Sequence, residues 1–116
     1  MLSQKEIECI RACNDCATAC LQCATTSLIQ DDIQKMIGCI TQDMECANIC
    51  KLLSTSIAQG DKHRLDVCKL CADICEKCAE ECGKHDMEHF QKCTAACLRC
   101  AEKCRDLISA SITISA

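Results

Sequence analysis

The cysteines of this chain recur at alternating steps of three and four residues. Side chains at that spacing lie on one face of an α-helix, in positions that a helical bundle normally fills with leucine or isoleucine. The spacing therefore predicts helices whose buried faces are made of thiols. The seventeen cysteines are Cys9, Cys13, Cys16, Cys20, Cys23, Cys39, Cys46, Cys50, Cys68, Cys71, Cys75, Cys78, Cys82, Cys93, Cys97, Cys100 and Cys104.

Helices are favoured along almost the whole chain. Three glycines, one aromatic residue and no proline leave few helix breakers and little support for a sheet. Capping residues and periodicity predict four helices, over about 3–28, 32–59, 61–82 and 86–109. The residues predicted to cap or end them are Ser3 with Glu6, Asp31 or Asp32, Gly60, Asp61, Gly83 and Asp86.

The short loops between these helices determine the expected fold. Helices joined by a few residues lie antiparallel to their neighbours, which gives an up-down-up-down four-helix bundle. The sequence thus predicts an all-α protein, with a cysteine-lined core and a single domain over residues 1–116.

The second helix has fewer cysteines than the others and carries a carboxylate in the stripe. Its three-four rhythm joins Cys39, Cys46 and Cys50 and places Asp43 where a thiol is expected. Two interpretations remain open from the sequence. Asp43 is a metal ligand or a hydrogen-bond partner of a thiolate, or the helix is rotated and leaves Asp43 in solvent.

The two ends of the predicted bundle differ in character. At one end, which we call the leucine end, extension of the cysteine stripes leads to apolar side chains. These are Leu2, Leu53, Ile57, Leu65 and Leu107. His63 lies at this end and Met44 lies off the stripe, so we assign both a structural role.

The opposite end, which we call the histidine end, is predicted to be polar and lined with metal ligands. Each of its residues taken alone is also typical of an ordinary loop or surface position. Their convergence at the end that lacks the leucines favours a ligand role, least strongly for Met87. The four residues are Met36, His85, Met87 and His89.

The chemistry of the thiol ladder favours Cu(I). Soft thiolates select soft metal ions, and Cu(I) accepts two or three sulfur ligands, whereas structural Zn(II) takes a closed tetrahedron. Each Cu(I) that replaces a thiol proton leaves a buried core without net charge. One ion per thiolate gives a capacity of about 17 Cu(I) per chain, which indicates storage rather than an enzyme.

The rest of the chain limits its compartment and partners. Its first residues lack the basic and apolar regions of an export signal, and no stretch reaches the roughly 18 apolar residues of a membrane span. We therefore expect a cytosolic protein, in which thiols stay reduced and bind metal rather than form disulfides. A net charge of -4 with interspersed signs gives no basic patch for nucleic acid.

Two segments carry a resemblance to a known family. Cys-x-x-Cys-Ala-x-x-Cys-x-x-Cys runs occur over 13–23 and 68–78, and a further cysteine ladder covers 93–104. This pattern resembles the bacterial copper storage proteins over essentially the whole chain, and it is similar to their cytosolic branch. The resemblance implies a four-helix bundle, commonly a homotetramer, whose core cysteines hold many Cu(I) ions. It also implies loading at a His- and Met-bearing end, and we expect copper chaperones or small thiols as donors.

Three other classes of protein also use clustered cysteines. An iron–sulfur ferredoxin uses cluster loops and a Cys-Pro motif, which this chain lacks. A thiol-disulfide oxidoreductase places Cys-x-x-Cys after a strand, and no strand is predicted. The strongest alternative is a zinc or general thiolate metal buffer resembling metallothionein, because Zn(II) can occupy part of the same ladder.

Overall fold

The protein is a bundle of four long helices. The computed structural model describes the backbone of residues 1–30 and 32–115, and their side chains up to Ser111. The helices in chain order are α1 (Gln4–Gln30), α2 (Ile33–Gln59), α3 (Arg64–Cys82) and α4 (Glu88–Ser115). The described residues contain no strand. The prediction of an all-α four-helix bundle is confirmed.

The four helices form a closed ring around one axis. Each helix contacts the next along the chain, and α4 returns to contact α1. The molecule measures 49 × 21 × 19 Å, and a helix of 27 residues is about 40 Å long, so α1 and α2 run most of its length. Short connections therefore place neighbouring helices antiparallel.

Local hydrogen bonds explain where α1 and α2 begin and where α2 ends. The Ser3 amide donates to a Glu6 carboxylate oxygen at 2.9 Å, and the Glu6 amide donates to Ser3 Oγ at 3.1 Å. This is the capping box that the sequence predicts. The Asp32 carboxylate accepts from the Gln34 amide at the start of α2. Gly60 ends α2 in a left-handed conformation, with φ 66°, which glycine adopts without steric cost.

Two predicted helix starts were wrong. The carboxylate of Asp61 accepts from the His63 amide and its carbonyl accepts from the Arg64 amide, so residues 61–63 form a turn and α3 begins at Arg64. The carbonyl of Met87 accepts the first amide bonds of the fourth helix. That helix therefore begins at Glu88 rather than at Asp86.

The other two helix starts lie within one residue of the predicted positions, whereas two of the helix ends lie further along the chain than predicted. The first helix continues to Gln30, past the predicted end at residue 28, and the fourth continues to Ser115, past residue 109. Asp31, the alternative cap of α2, lies outside the described residues.

The core consists of thiols with small neighbours. Every cysteine is buried, and the alanines beside the cysteine stripes let the helices approach closely. The buried alanines are Ala12, Ala17, Ala24, Ala47, Ala72, Ala79 and Ala101. At the leucine end, Leu53, Ile57 and Leu107 are buried, while Leu2 and Leu65 are partly buried. Apart from Ile49 and Ile74, the buried leucine and isoleucine side chains therefore lie at one end of the thiol core.

This asymmetry predicts that one end supplies much of the stability of the metal-free chain. Leu53 is fully buried, whereas Leu70 of α3 is about half exposed. We expect Leu53→Ala to lower the free energy of unfolding by about 2–5 kcal/mol, because it leaves a cavity in the packed end. Leu70→Ala is the matched control and should change it by less than about 0.5 kcal/mol. Urea unfolding of the reduced apo chain, followed by circular dichroism, measures both. Equal effects would contradict the importance of this packing.

Candidate metal centre

All seventeen thiols face the axis of the bundle. Each cysteine is at most 1% exposed, and none forms a disulfide. Helices α1 and α3 carry five cysteines each, α4 carries four, and α2 carries three. The three-four spacing makes this arrangement possible, because it keeps every sulfur of a helix on the side that faces the other three.

The sulfurs form a continuous network along the core. In the middle of the bundle, Cys16 Sγ lies 3.7 Å from the sulfurs of both Cys46 and Cys97, and 4.0 Å from that of Cys75. Several groups of four sulfurs have all members within 4.8 Å of one another. Two such groups are Cys16, Cys20, Cys46 and Cys97, and Cys13, Cys71, Cys100 and Cys104.

This geometry suits metal ions that share ligands. Neighbouring groups have sulfurs in common, so one thiolate can bridge two ions and a chain of ions can follow the axis. Thiolate ligands favour Cu(I) and Zn(II) over hard cations. Burial disfavours an uncompensated thiolate, so binding of a cation and loss of the thiol proton are coupled.

Asp43 lies inside the core among the thiols. It is fully buried, and its Oδ1 accepts hydrogen bonds from Cys93 at 3.1 Å, Cys78 at 3.2 Å and Cys82 at 3.4 Å. Its Oδ2 lies 3.9 Å from Cys39 Sγ. The interpretation that α2 rotates Asp43 into solvent was therefore wrong, because the carboxylate occupies a thiol position in the helix register. Burial, with the nearby Cys93 thiol, raises the pKa of the Asp43 carboxyl to about 8.

The shortest sulfur contact lies near the histidine end. Cys39 and Cys82 are separated by 3.0 Å between sulfurs. Hydrogen bonds from Cys23 and Cys82 lower the pKa of the Cys39 thiol to about 4, and the nearby His85 imidazole adds to this effect. The pKa of Cys82 is raised by its contacts with Cys23 and Cys39. Cys39 is therefore the thiol of this pair that gives up its proton more readily to an incoming metal ion, and a thiolate is the form that binds metal.

The structure places the predicted residues of the histidine end at different depths. Met36 is buried, with 6% of its surface exposed, and it belongs to the core cluster. His85 and His89 are partly exposed, and Met87 is 42% exposed. A surface groove between α1 and α4 is lined by both Met87 and His89. The four residues therefore extend from the core surface outward to solvent.

Two residues of this end were missed by the sequence reasoning. Phe90 and Ser27 are both fully buried. Ser27 lies four residues after Cys23, and Phe90 lies three residues before Cys93, so both continue a cysteine stripe by one step. The three-four spacing that identified the thiols therefore also predicts that Ser27 and Phe90 face the core. The expected polar end is therefore closed in part by an aromatic ring.

The fold and the site together define a class of protein. A helical bundle whose axis is a continuous network of buried thiols is a multi-ion soft-metal binder. A family model described as "Csp: Copper storage protein" matches residues 2–109. This chain belongs to the copper storage protein family.

Individual relatives agree with this assignment. The Cu(I)-bound copper storage protein BsCsp3 superposes with a TM-score of 0.85 at 46% identity, over 89% of this chain and 97% of that one. A Streptomyces lividans structure, described as copper loading to a cytosolic copper storage protein, has a TM-score of 0.88 at 29% identity, over 91% and 93% of the two chains. The uncharacterized cysteine-rich protein YhjQ of Bacillus subtilis is 44% identical over 88 residues, or 75% of this chain and 74% of that protein.

In the part of the chain that the structure describes, no helix combines the length and the apolar character needed to cross a bilayer.

The buried carboxyl of Asp43 predicts a specific pH dependence of the apo chain. Its folded-state pKa of about 8 lies above the ordinary value of 3.8, so the folded chain keeps a proton that the unfolded chain releases. The free energy of unfolding should therefore fall as pH rises from about 4 to about 8, and Asp43→Asn should flatten this slope. Urea unfolding of reduced apo protein between about pH 5 and about pH 7.5 measures it.

The exposed Asp15 provides a matched control for this experiment. Asp15→Asn should leave the slope of the parent unchanged. A parent slope that Asp43→Asn does not alter would contradict a neutral, buried carboxyl in the apo core.

Proposed function

We propose that this chain is a cytosolic copper store that holds about 17 Cu(I) ions, one for each cysteine. The observation that carries the proposal is the continuous sulfur network, in which all seventeen thiols are buried and adjacent groups share ligands. Residues 1–116 act as one four-helix storage unit, and the chain has no catalytic role. The relative from Streptomyces lividans is itself described as cytosolic, which supports the compartment.

The charge of the core supports a capacity of one ion per thiolate. A buried thiolate needs a positive partner, and a single Cu(I) neutralises it when it replaces the thiol proton. Divalent ions at the same one-to-one ratio would leave excess positive charge in a core closed to water. Bridging sulfurs then allow each ion two or three ligands without additional residues.

Asp43 is an additional oxygen ligand in this proposal. Its Oδ1 lies within 3.4 Å of three sulfurs that would bind copper, so an ion held by those sulfurs lies within reach of the carboxylate. In the apo chain the same oxygen accepts their S–H bonds. Asp43 thus takes the place of a thiol in the layer where α2 has none.

Loading takes place at the histidine end in this proposal. Neutral imidazole and thioether groups hold Cu(I) without adding charge, and they can pass it to stronger thiolate ligands. Met87 and His89 are accessible from solvent, His85 lies close to Cys39, and Met36 is at the boundary of the core. Copper chaperones or small thiols deliver the ion to this end.

Assembly into a homotetramer is a further part of the proposal. Large apolar side chains of α2 remain about half exposed at intervals that place them along one side of the helix. These residues are Ile33, Ile37, Met44 and Leu52. A stripe of this kind is typical of a surface that another protein chain covers.

Zinc or general thiolate buffering is the second candidate. The groups of four sulfurs within 4.8 Å resemble the ligand number of a tetrahedral Zn(II) site. Copper differs from zinc in that bridged two- and three-coordinate ions can use every sulfur of the network at once.

Titration of the reduced apo chain with Cu(I) and Zn(II) distinguishes these candidates. Under anaerobic conditions we expect saturation at about 17 Cu(I) per chain, and displacement of any bound Zn(II) by Cu(I). Substitution of Cys16, Cys46 and Cys97 by serine should lower the copper capacity by about three ions. Saturation at about four ions or fewer, with zinc retained against copper, would favour the zinc buffer instead.

A triple variant tests the loading end. Replacement of Met36, His85 and His89 by alanine should slow the uptake of Cu(I) from a defined donor, because the outer ligands are lost. The capacity should stay within about two ions of the parent, because the thiols remain. Stopped-flow uptake measures the rate and anaerobic titration measures the capacity.

The double variant His63→Ala with Leu70→Ala is the matched control, because both side chains are exposed and lie towards the leucine end. Its uptake rate should equal that of the parent. Equal rates for the triple variant and the parent would place loading elsewhere.

A further inference from the structure

A phenyl ring occupies the outermost buried layer at the histidine end. Phe90 is the only aromatic residue of the chain other than histidine, and it is fully buried within the same cluster as the thiols. It lies one step beyond Cys93 in the three-four stripe of α4, so it follows the last sulfur of that helix along the axis. A side chain without a ligand atom therefore stands where the thiol ladder meets the histidines.

The two histidines contact this ring from the solvent side. The His85 and His89 ring centroids lie 4.5 Å and 4.2 Å from that of Phe90. Both imidazoles are partly exposed, whereas the phenyl ring has no exposed surface. An ion bound by either imidazole therefore meets an aromatic ring before it meets the fully buried sulfurs.

The positions of this layer on α1 and α2 are also closed. Ser27 is fully buried, donates to the Cys23 carbonyl at 2.8 Å, and has its Oγ 3.4 Å from His89 Nε2. Met36 closes the stripe of α2 in the same way. Beneath this layer Cys23 and Cys39 are each only 1% exposed. Solvent molecules and reagents therefore reach no sulfur at this end while the layer is in place.

We propose that Phe90 is a gate for the thiol core, and that exchange with the thiols requires displacement of its ring. For copper, this inference rests on the proposed storage function. The closed position is favoured because an open ring exposes a large apolar surface to water. The open position gives the histidine-bound ion a direct route to the sulfurs. The gate thus determines the rate of exchange and leaves the capacity to the cysteines.

The leucine end offers a less direct route. Leu53, Ile57 and Leu107 are all buried there, so several side chains from two helices would have to move. At the histidine end the ring of Phe90 contacts two partly exposed imidazoles, and a surface groove lined by His89 and Lys92 lies beside it.

The reaction of the apo thiols with the aromatic disulfide DTNB tests the gate without copper. We expect Phe90→Ala to react about tenfold faster than the parent in the first phase, because the cost of exposing the ring is removed. Leu107→Ala is the matched control. It truncates a buried apolar side chain at the leucine end, so it reports the effect of lost stability alone and should be much slower than Phe90→Ala.

A second variant keeps the test decisive if the alanine variant does not fold. Phe90→Leu retains an apolar side chain of intermediate size, and it should react several-fold faster than the parent because the ring that contacts both imidazoles is gone. Circular dichroism establishes which variants are folded. A rate equal to that of the parent in every folded Phe90 variant, or equal acceleration in Leu107→Ala, would overturn the gate.

Copper exchange provides the functional test. Phe90→Ala should take up Cu(I) from a glutathione complex, and lose it to a Cu(I) chelator, about tenfold faster than the parent, with its capacity within about two ions. Uptake and loss at the rates of the parent would overturn the gate. Faster thiol reaction with no copper uptake by either protein would support the gate but contradict the storage function, so the two failures are distinguishable.

Discussion

A buried thiolate has to be neutralised, and the other features of this protein follow from that requirement. The three-four spacing brings seventeen ionisable groups into a core without solvent, where only protons or bound cations can balance their charge. In the apo chain the thiols keep their protons and donate to one another and to Asp43. A monovalent soft ion that replaces each proton preserves the neutral core. The core thiolates therefore match Cu(I) both in charge and in their softness as ligands.

The thiol core also explains why stability and the proposed ion exchange are located at different ends of the bundle. Cysteine buries less apolar surface than leucine, so a thiol core contributes less to folding than an aliphatic core. The chain compensates with long capped helices, small alanines that allow close packing, and an aliphatic cluster at the leucine end. The opposite end is left to residues that can bind or admit an ion. The leucine end thus stabilises the bundle, and the histidine end is where, in the proposed function, ions exchange with the solution.

The sequence predicted much of this because its strongest signal, the helical register, is local. Helix number, antiparallel order, the thiol core and the leucine end all follow from that register and from short loops. The start of α3 was wrong because Asp61 binds the amide of His63 in a turn, a competition that capping rules do not resolve. Asp43 remained ambiguous because burial of a carboxylate depends on the S–H donors of α3 and α4. Phe90 was not predicted because its side chain has no ligand atom, although it continues the cysteine stripe of α4.

The proposed storage function depends on copper being held by the core thiols. Anomalous diffraction at the copper absorption edge, from crystals of chain loaded anaerobically with Cu(I), tests it most directly. We expect a row of copper peaks along the bundle axis, each bound by sulfurs from two or more helices, with Asp43 beside the peaks nearest the histidine end. Copper peaks confined to the surface, to the histidines or to one four-sulfur site would contradict it.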